Sequence, residues 1–207
     1  TIGVKTQSLT FVDIHYWKQY GISEAVLKYY NVFSCKCVFI GENVVGYYKN
    51  NDPIYGYLFN KDSVYTWKIY RPLCLTGHKW MSNTNRTIFQ GWDQLPERGE
   101  FIIITKSLKD VMVLRTLGFI SAALQNEITG IKDTVARELY ERFNKVYILN
   151  DFDLTGVKGA NNLKKKYGFT PIFLQSFSTR HDGFKDISDF RKDHTAEESK
   201  NKINKLI

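Results

Sequence analysis

Val146-Tyr147-Ile148-Leu149-Asn150-Asp151-Phe152-Asp153-Leu154-Thr155-Gly156 is the stretch on which the fold turns. An apolar run of strand length, Val146 to Leu149, ends at two carboxylates and a Gly, and a helical pattern from Gly159 to Tyr167, stopped by Gly168, lies just beyond. A buried strand leading into a helix is half of a β-α-β unit. Working outward, Phe101 to Thr105 is a wholly apolar strand and Leu108 to Leu117 has helical spacing. Phe119 to Leu124 is a second strand, Lys132 to Phe143 a second helix, and Pro171 to Leu174 a fourth strand. This alternation predicts an α/β fold, a parallel sheet with right-handed crossovers flanked by helices.

Ligands of open parallel sheets bind beyond the carboxyl ends of the strands. Those positions are Thr105-Lys106-Ser107, Gln125-Asn126-Glu127, Asn150 to Asp153, and a later loop reaching Lys185-Asp186-Ile187-Ser188-Asp189. On an extended segment Asp151 and Asp153, at i and i+2, point to one side and offer hard oxygen ligands for Mg²⁺ or Mn²⁺. A turn followed by a helix cap explains the same pair more plainly. Asp186 and Asp189 add carboxylates from the next strand-end loop, which favours the metal reading, with Asp186 as a third ligand. Lys106-Ser107-Leu108-Lys109-Asp110 puts two cations and a carboxylate at a helix start, a setting for phosphate contact or simply a solvated helix start.

Upstream the composition changes. All four Trp and ten of the 13 Tyr lie within residues 1–97, where turn signals separate aromatic and β-branched runs: Val38 to Ile40, Val44 to Tyr48, Tyr55 to Phe59 and Val64 to Tyr70. Ser23 caps a short helix through Lys28 on this reading. The region is expected to be a smaller, basic, mixed α+β subdomain with a mostly antiparallel sheet. The polar break at Pro96 to Glu100 divides it from a second domain, residues 98–207, with a helical tail.

The whole chain of 207 residues has 43% hydrophobic and 24% charged residues, and 29 Lys plus Arg against 21 Asp plus Glu leave a net charge of +8. Polyanions are therefore favoured partners. No apolar run reaches the roughly 20 residues of a membrane span. The missing initiator Met fits a piece cut from a longer chain better than a matured secreted one. An odd count of three Cys points to a reducing compartment. Cys35-x-Cys37 and Cys74-x3-His78 lack the spacing of common zinc sites, so zinc is not expected. Lys68, Arg71 and Lys79, interleaved with Tyr65, Trp67, Tyr70 and Trp80, have the composition of a surface that neutralises phosphates and stacks on unpaired bases. Lys164-Lys165-Lys166 is most simply a solvated face.

Phe101 to Asp110, then Asp151-x-Asp153-Leu-Thr-Gly and Lys185-Asp186, resembles the TOPRIM domain of bacterial and phage-type primases, topoisomerases and some nucleases, over roughly residues 98–190. Tyr57-Leu58-Phe59, Lys68-Ile69-Tyr70-Arg71-Pro72 and Lys79-Trp80-Met81-Ser82-Asn83 resemble the basic N-terminal subdomain of phage-type, DnaG-like primases. The resemblance implies synthesis of short RNA primers on single-stranded DNA from nucleoside triphosphates with Mg²⁺ or Mn²⁺, and a replicative helicase on the same or another chain as a partner. It implies an intracellular, cytoplasmic protein, and the Lys, Asn and Tyr bias fits an AT-rich phage genome. Asp151, Asp153 and Asp186 would then bind metal, Asp110 would join the acidic cluster, and Lys109 and Lys185 would bind nucleotide. One departure stands out: Lys106-Ser107 occupies the place of the family's Glu-Gly, where the Glu is a metal ligand or general acid/base, and a protonated Lys cannot coordinate Mg²⁺. In an active enzyme Glu127 would supply the missing carboxylate and Lys106 would hold the triphosphate. The alternatives are a catalytically silent TOPRIM module that binds nucleic acid, and a TOPRIM nuclease.

Overall fold

The computed structural model describes residues 1–75, 78–125, 130–175 and 184–207. The chain divides into two compact units, Thr1–Ile88 and Phe89–Ile207.

In the first unit β1 (Ile2–Gln7) is followed by α1 (Phe11–Lys18), α2 (Glu24–Tyr29), β2 (Val32–Ile40), β3 (Asn43–Tyr47), β4 (Tyr55–Lys61), β5 (Val64–Tyr70) and β6 (Trp80–Ser82). The strands form one antiparallel sheet in the order β1-β2-β4-β5-β6, with β3 paired to β2. Ser23 caps α2, as its sequence implies. The β4–β5 hairpin closes at Lys61 and Val64 over Asp62 and Ser63, both at positive φ, the twist a two-residue hairpin requires. Two elements lie outside the sequence-based expectations, β1 and α1. Helix α1 starts at a capping box in which Thr10 Oγ accepts from the Asp13 amide at 3.2 Å and the Asp13 carboxylate accepts from the Thr10 amide at 2.8 Å. Asp13 is fully buried and also accepts from the Tyr48 hydroxyl at 2.8 Å. The helix lays Tyr16 and Trp17 against Tyr55 and Tyr70. Strand β5 alternates, so Trp67 and Ile69 join an apolar cluster with Ile2, Cys35, Val38 and Ile54 while Lys68 and Tyr70 take the other face.

The second unit runs β7 (Gly99–Thr105), α3 (Leu108–Thr116), β8 (Ser121–Ala123), α4 (Asp133–Arg142), β9 (Phe143–Leu149), α5 (Leu154–Tyr167), β10 (Thr170–Ile172), α6 (Ile187–Asp193) and α7 (Ala196–Asn204). Its four strands are parallel, in the order β10-β9-β7-β8, as the alternation of strands and helices predicts. Ile102, Ile104, Val146 and Ile148 from the central strands pack with Ala136 and Leu139 of α4 and Ala160 and Leu163 of α5. This unit begins before the polar break at 96–100, because Gln90 pairs through its backbone with Ala123 and Trp92 and Leu95 pack on the same core.

The order of strands places the site. From β7 the chain moves to β8 on one side, then returns across β7 to β9 on the other. The loops after β7 and β9 therefore leave neighbouring strands in opposite senses, which opens a crevice at the switch point.

Candidate functional site

Lys106 follows β7, and Asn150 and Asp151 follow β9. The Lys106 ammonium pairs with the Asp151 carboxylate and lies 3.6 Å from Oδ2 of Asp186, which precedes α6. These three side chains are between 14% and 20% exposed, so water screens them only in part. Asp110, one turn into α3, is fully buried. Its Oδ2 accepts from the Ser107 hydroxyl at 2.6 Å, its Oδ1 accepts from the Ser188 hydroxyl, and its own amide donates to Ser107 Oγ at 3.2 Å. Ser107 thus caps α3 and clamps the buried carboxylate. Ser188 is a site residue that sequence reading passed over, since only the fold brings α6 to α3.

Burial alone would lower the Lys106 pKa, but the carboxylates of Asp110, Asp186 and Asp151 outweigh it and hold the ammonium above the usual lysine range. For Asp110, burial first and the Asp186 charge second push the carboxyl up to about 6, against the opposing pull of Lys106, Lys109 and the Ser107 hydroxyl. The folded protein therefore keeps a proton that an ordinary unfolded carboxyl has released. Stability from that proton is complete below about pH 4 and is lost as pH rises through about 6. Between pH 7 and pH 5 the wild type is expected to gain on the order of 1 kcal/mol over Asp110→Asn, whose neutral amide cannot titrate. Chemical denaturation across that range tests this, and parallel profiles for the two proteins would contradict it.

The other expected site residues are placed as follows. Asp153 is exposed and caps α5, accepting from the Gly156 amide at 2.8 Å. Asp186 likewise caps α6, accepting from the Asp189 amide at 2.8 Å. Lys109 is half-buried and Lys185 exposed, while Glu127 lies outside the described residues. The strand-end loop at 150–151 is held by Asn150, whose buried side-chain amide donates to the Gly156 carbonyl at 3.2 Å.

Among the described residues no group of three or more His, Cys, Asp or Glu is placed to hold a metal ion. Asp110, Asp151 and Asp186 have the chemistry for Mg²⁺ or Mn²⁺, but the ammonium of Lys106 already stands against Asp151 and Asp186, and Ser107 and Ser188 bond to both oxygens of Asp110. As they stand, these residues do not fit a divalent ion. Cys35 and Cys37 are buried, and burial chiefly, with Asp13 and Cys37 adding, pushes the Cys35 thiol up to about 12.

The cations of the first unit differ in setting. Trp80 of β6 pairs with Tyr70 of β5 and stacks on it, with ring centres 4.3 Å apart and 19° between planes, and Trp80 stays 42% exposed. Lys68 Nζ lies 5.1 Å from the Trp80 ring, and burial lowers its pKa to about 8. Lys79 is exposed, its Nζ 5.7 Å from the Tyr70 ring. Arg71 donates to both oxygens of Asp52, its Nε at 3.4 Å.

No family model and no curated protein matches the chain. Solved structures do. A DnaG catalytic core superposes with a TM-score of 0.70 at 10% identity, covering 97% of this chain and 74% of that one. A DnaG primase catalytic domain bound to single-stranded DNA gives 0.67 at 11% identity, covering 97% and 73%. A chain from the bacteriophage T7 assembly of lagging-strand DNA polymerase with primase domains bound to an RNA/DNA hybrid and dTTP gives 0.61 at 9% identity, covering 99% and 93%. Over nearly its whole length the chain has the fold of the DnaG-type and phage T7 primase catalytic cores.

Proposed function

We propose that the chain is the RNA-polymerase core of a DNA primase, which binds single-stranded DNA and joins nucleoside triphosphates into short RNA primers. One observation carries this reading: the primase-core fold spans the chain, and Asp110, Asp151 and Asp186 gather with Lys106 at the switch point of its parallel sheet. In this proposal Lys79 neutralises template phosphates and Trp80 stacks on an unpaired base, with Lys68 and the Asp52-bound Arg71 supporting that surface. Lys109 and Lys185 provide charge for the triphosphate. Structural neighbours carry single-stranded DNA in one case and an RNA/DNA hybrid with dTTP in another, which agrees in kind with these partners. A replicative helicase and a phage origin belong to the same proposal. No described helix is long and apolar enough to cross a membrane.

A second reading, a silent module that binds nucleic acid without catalysis, is favoured by the pairing of Lys106 with Asp151 and Asp186. Labelled triphosphates, single-stranded template and Mg²⁺ or Mn²⁺ distinguish the outcomes. Short RNA made by wild type and lost in Asp151→Asn is the expected result, shortened template identifies a nuclease, and binding without product identifies the silent module. Binding should weaken steeply with salt, and Lys79→Ala should reduce the log–log slope by about 0.7. A slope equal to that of wild type would remove Lys79 from the interface.

A further inference from the structure

We infer that Lys106 is a tethered cation that neutralises the acidic cluster in the place of a divalent metal ion, so that the wild-type cluster holds Mg²⁺ or Mn²⁺ only weakly. The ammonium contacts Asp151, lies 3.6 Å from Asp186, and is enclosed by the strand-end loop after β9 and the start of α6. It has no lone pair to offer a metal, and the same carboxylate oxygens cannot bind a divalent ion at about 2.0–2.6 Å while a fixed positive charge stands against them. Metal entry therefore requires Lys106 to leave both partners. The third carboxylate is committed as well, since the Ser107 and Ser188 hydroxyls donate to Asp110 on both sides. A bare cluster of like charges at this burial would repel itself strongly, and one ammonium in its midst relieves that repulsion without any ligand.

A merely structural ion pair would give a different result from a substitute cation. On removal of Lys106 the structural pair leaves only a less stable protein, whereas the substitute cation leaves a site that a metal can refill. The inference stands on the ion pairs and needs no primer synthesis, so its test reads metal affinity alone. Mn²⁺ is titrated by calorimetry into the full chain as wild type, K106A, K106M and K106A/D151N, with circular dichroism confirming the fold. The expected result is that K106A and K106M bind Mn²⁺ about 10-fold or more tightly than wild type, that adding D151N abolishes the gain, and that Mn²⁺ restores melting temperature lost in K106A. Folded Lys106 variants that bind Mn²⁺ no better than wild type would overturn the inference. Should neither variant fold, wild type and D151N decide it: wild-type binding that D151N weakens overturns the inference, and weak binding indifferent to D151N supports it.

Discussion

Gly156→Ala is expected to lower stability by about 3 kcal/mol and to disrupt the Lys106–Asp151 pair. A Cβ at this position would lie 2.3 Å from the carbonyl oxygen of Asp151 and 3.1 Å from its carbonyl carbon and its nitrogen. These are backbone atoms, so no rotamer change relieves the contact. The loop must move, and Asp151 moves with it. The same step breaks the Asn150 hydrogen bond to the Gly156 carbonyl and the Asp153 cap on the Gly156 amide. The Gly that follows the two carboxylates therefore serves the site through close approach, since no left-handed backbone is involved there. Denaturant unfolding of Gly156→Ala beside Asn161→Ala, an exposed position on the same helix, checks this. Equal stability of the two variants would show that the loop absorbs the methyl group.

Trp80→Ala is expected to weaken binding of single-stranded DNA by roughly 5- to 150-fold, the range of about 1–3 kcal/mol for a base stacked on an aromatic ring. The ring is held before any ligand arrives, by Tyr70 beneath it and Tyr57 at its edge, with centroids 6.1 Å apart for the latter pair. Tyr70 is itself fixed by a hydrogen bond of 2.9 Å between its hydroxyl and that of Tyr16, inside the aromatic core that α1 builds. The ring is fixed in advance and the residue is 42% exposed, so little ordering opposes stacking of a base on it. Trp80→Phe should recover part of the loss, and DNA should quench the Trp80 component of the fluorescence. An Ala variant that is folded and binds as wild type would place the nucleic-acid surface elsewhere, with the Lys164 to Lys166 face the next to examine.

Much of the second unit was legible in the sequence because its signals are local. The apolar runs of β7 and β9, the helix start at Ser107 and the stop at Gly168 each act within a few residues of where they stand, whereas α5 starts at Leu154, ahead of the Gly159 from which its helical pattern reads. Alternation of strands and helices then implied the parallel sheet, and with it the strand ends where chemistry gathers. Even the plainer reading of Asp153, as a helix cap, could be written from spacing alone. In the first unit, the Thr10-x-x-Asp13 spacing that starts α1 is in the sequence, but the helix that follows is short and its apolar residues form no clear stripe. Its fold depends on a buried Asp13 reaching Tyr48, a partner 35 residues away.

What the sequence by itself determined was the set of charged groups and the ends of the strands on which they sit. Which of them meet was decided only by the tertiary structure. Lys106 and Asp151 are 45 residues apart, and Asp110 and Ser188 are 78 apart. Local propensity carries no information across such distances. The order β10-β9-β7-β8 brings the loops after β7 and β9 side by side, and the packing of α6 on α3 delivers Asp186 and Ser188. Once those carboxylates converge in a partly dry crevice, a cation among them relieves their repulsion, and Lys106 stands there, paired with Asp151 and 3.6 Å from Asp186.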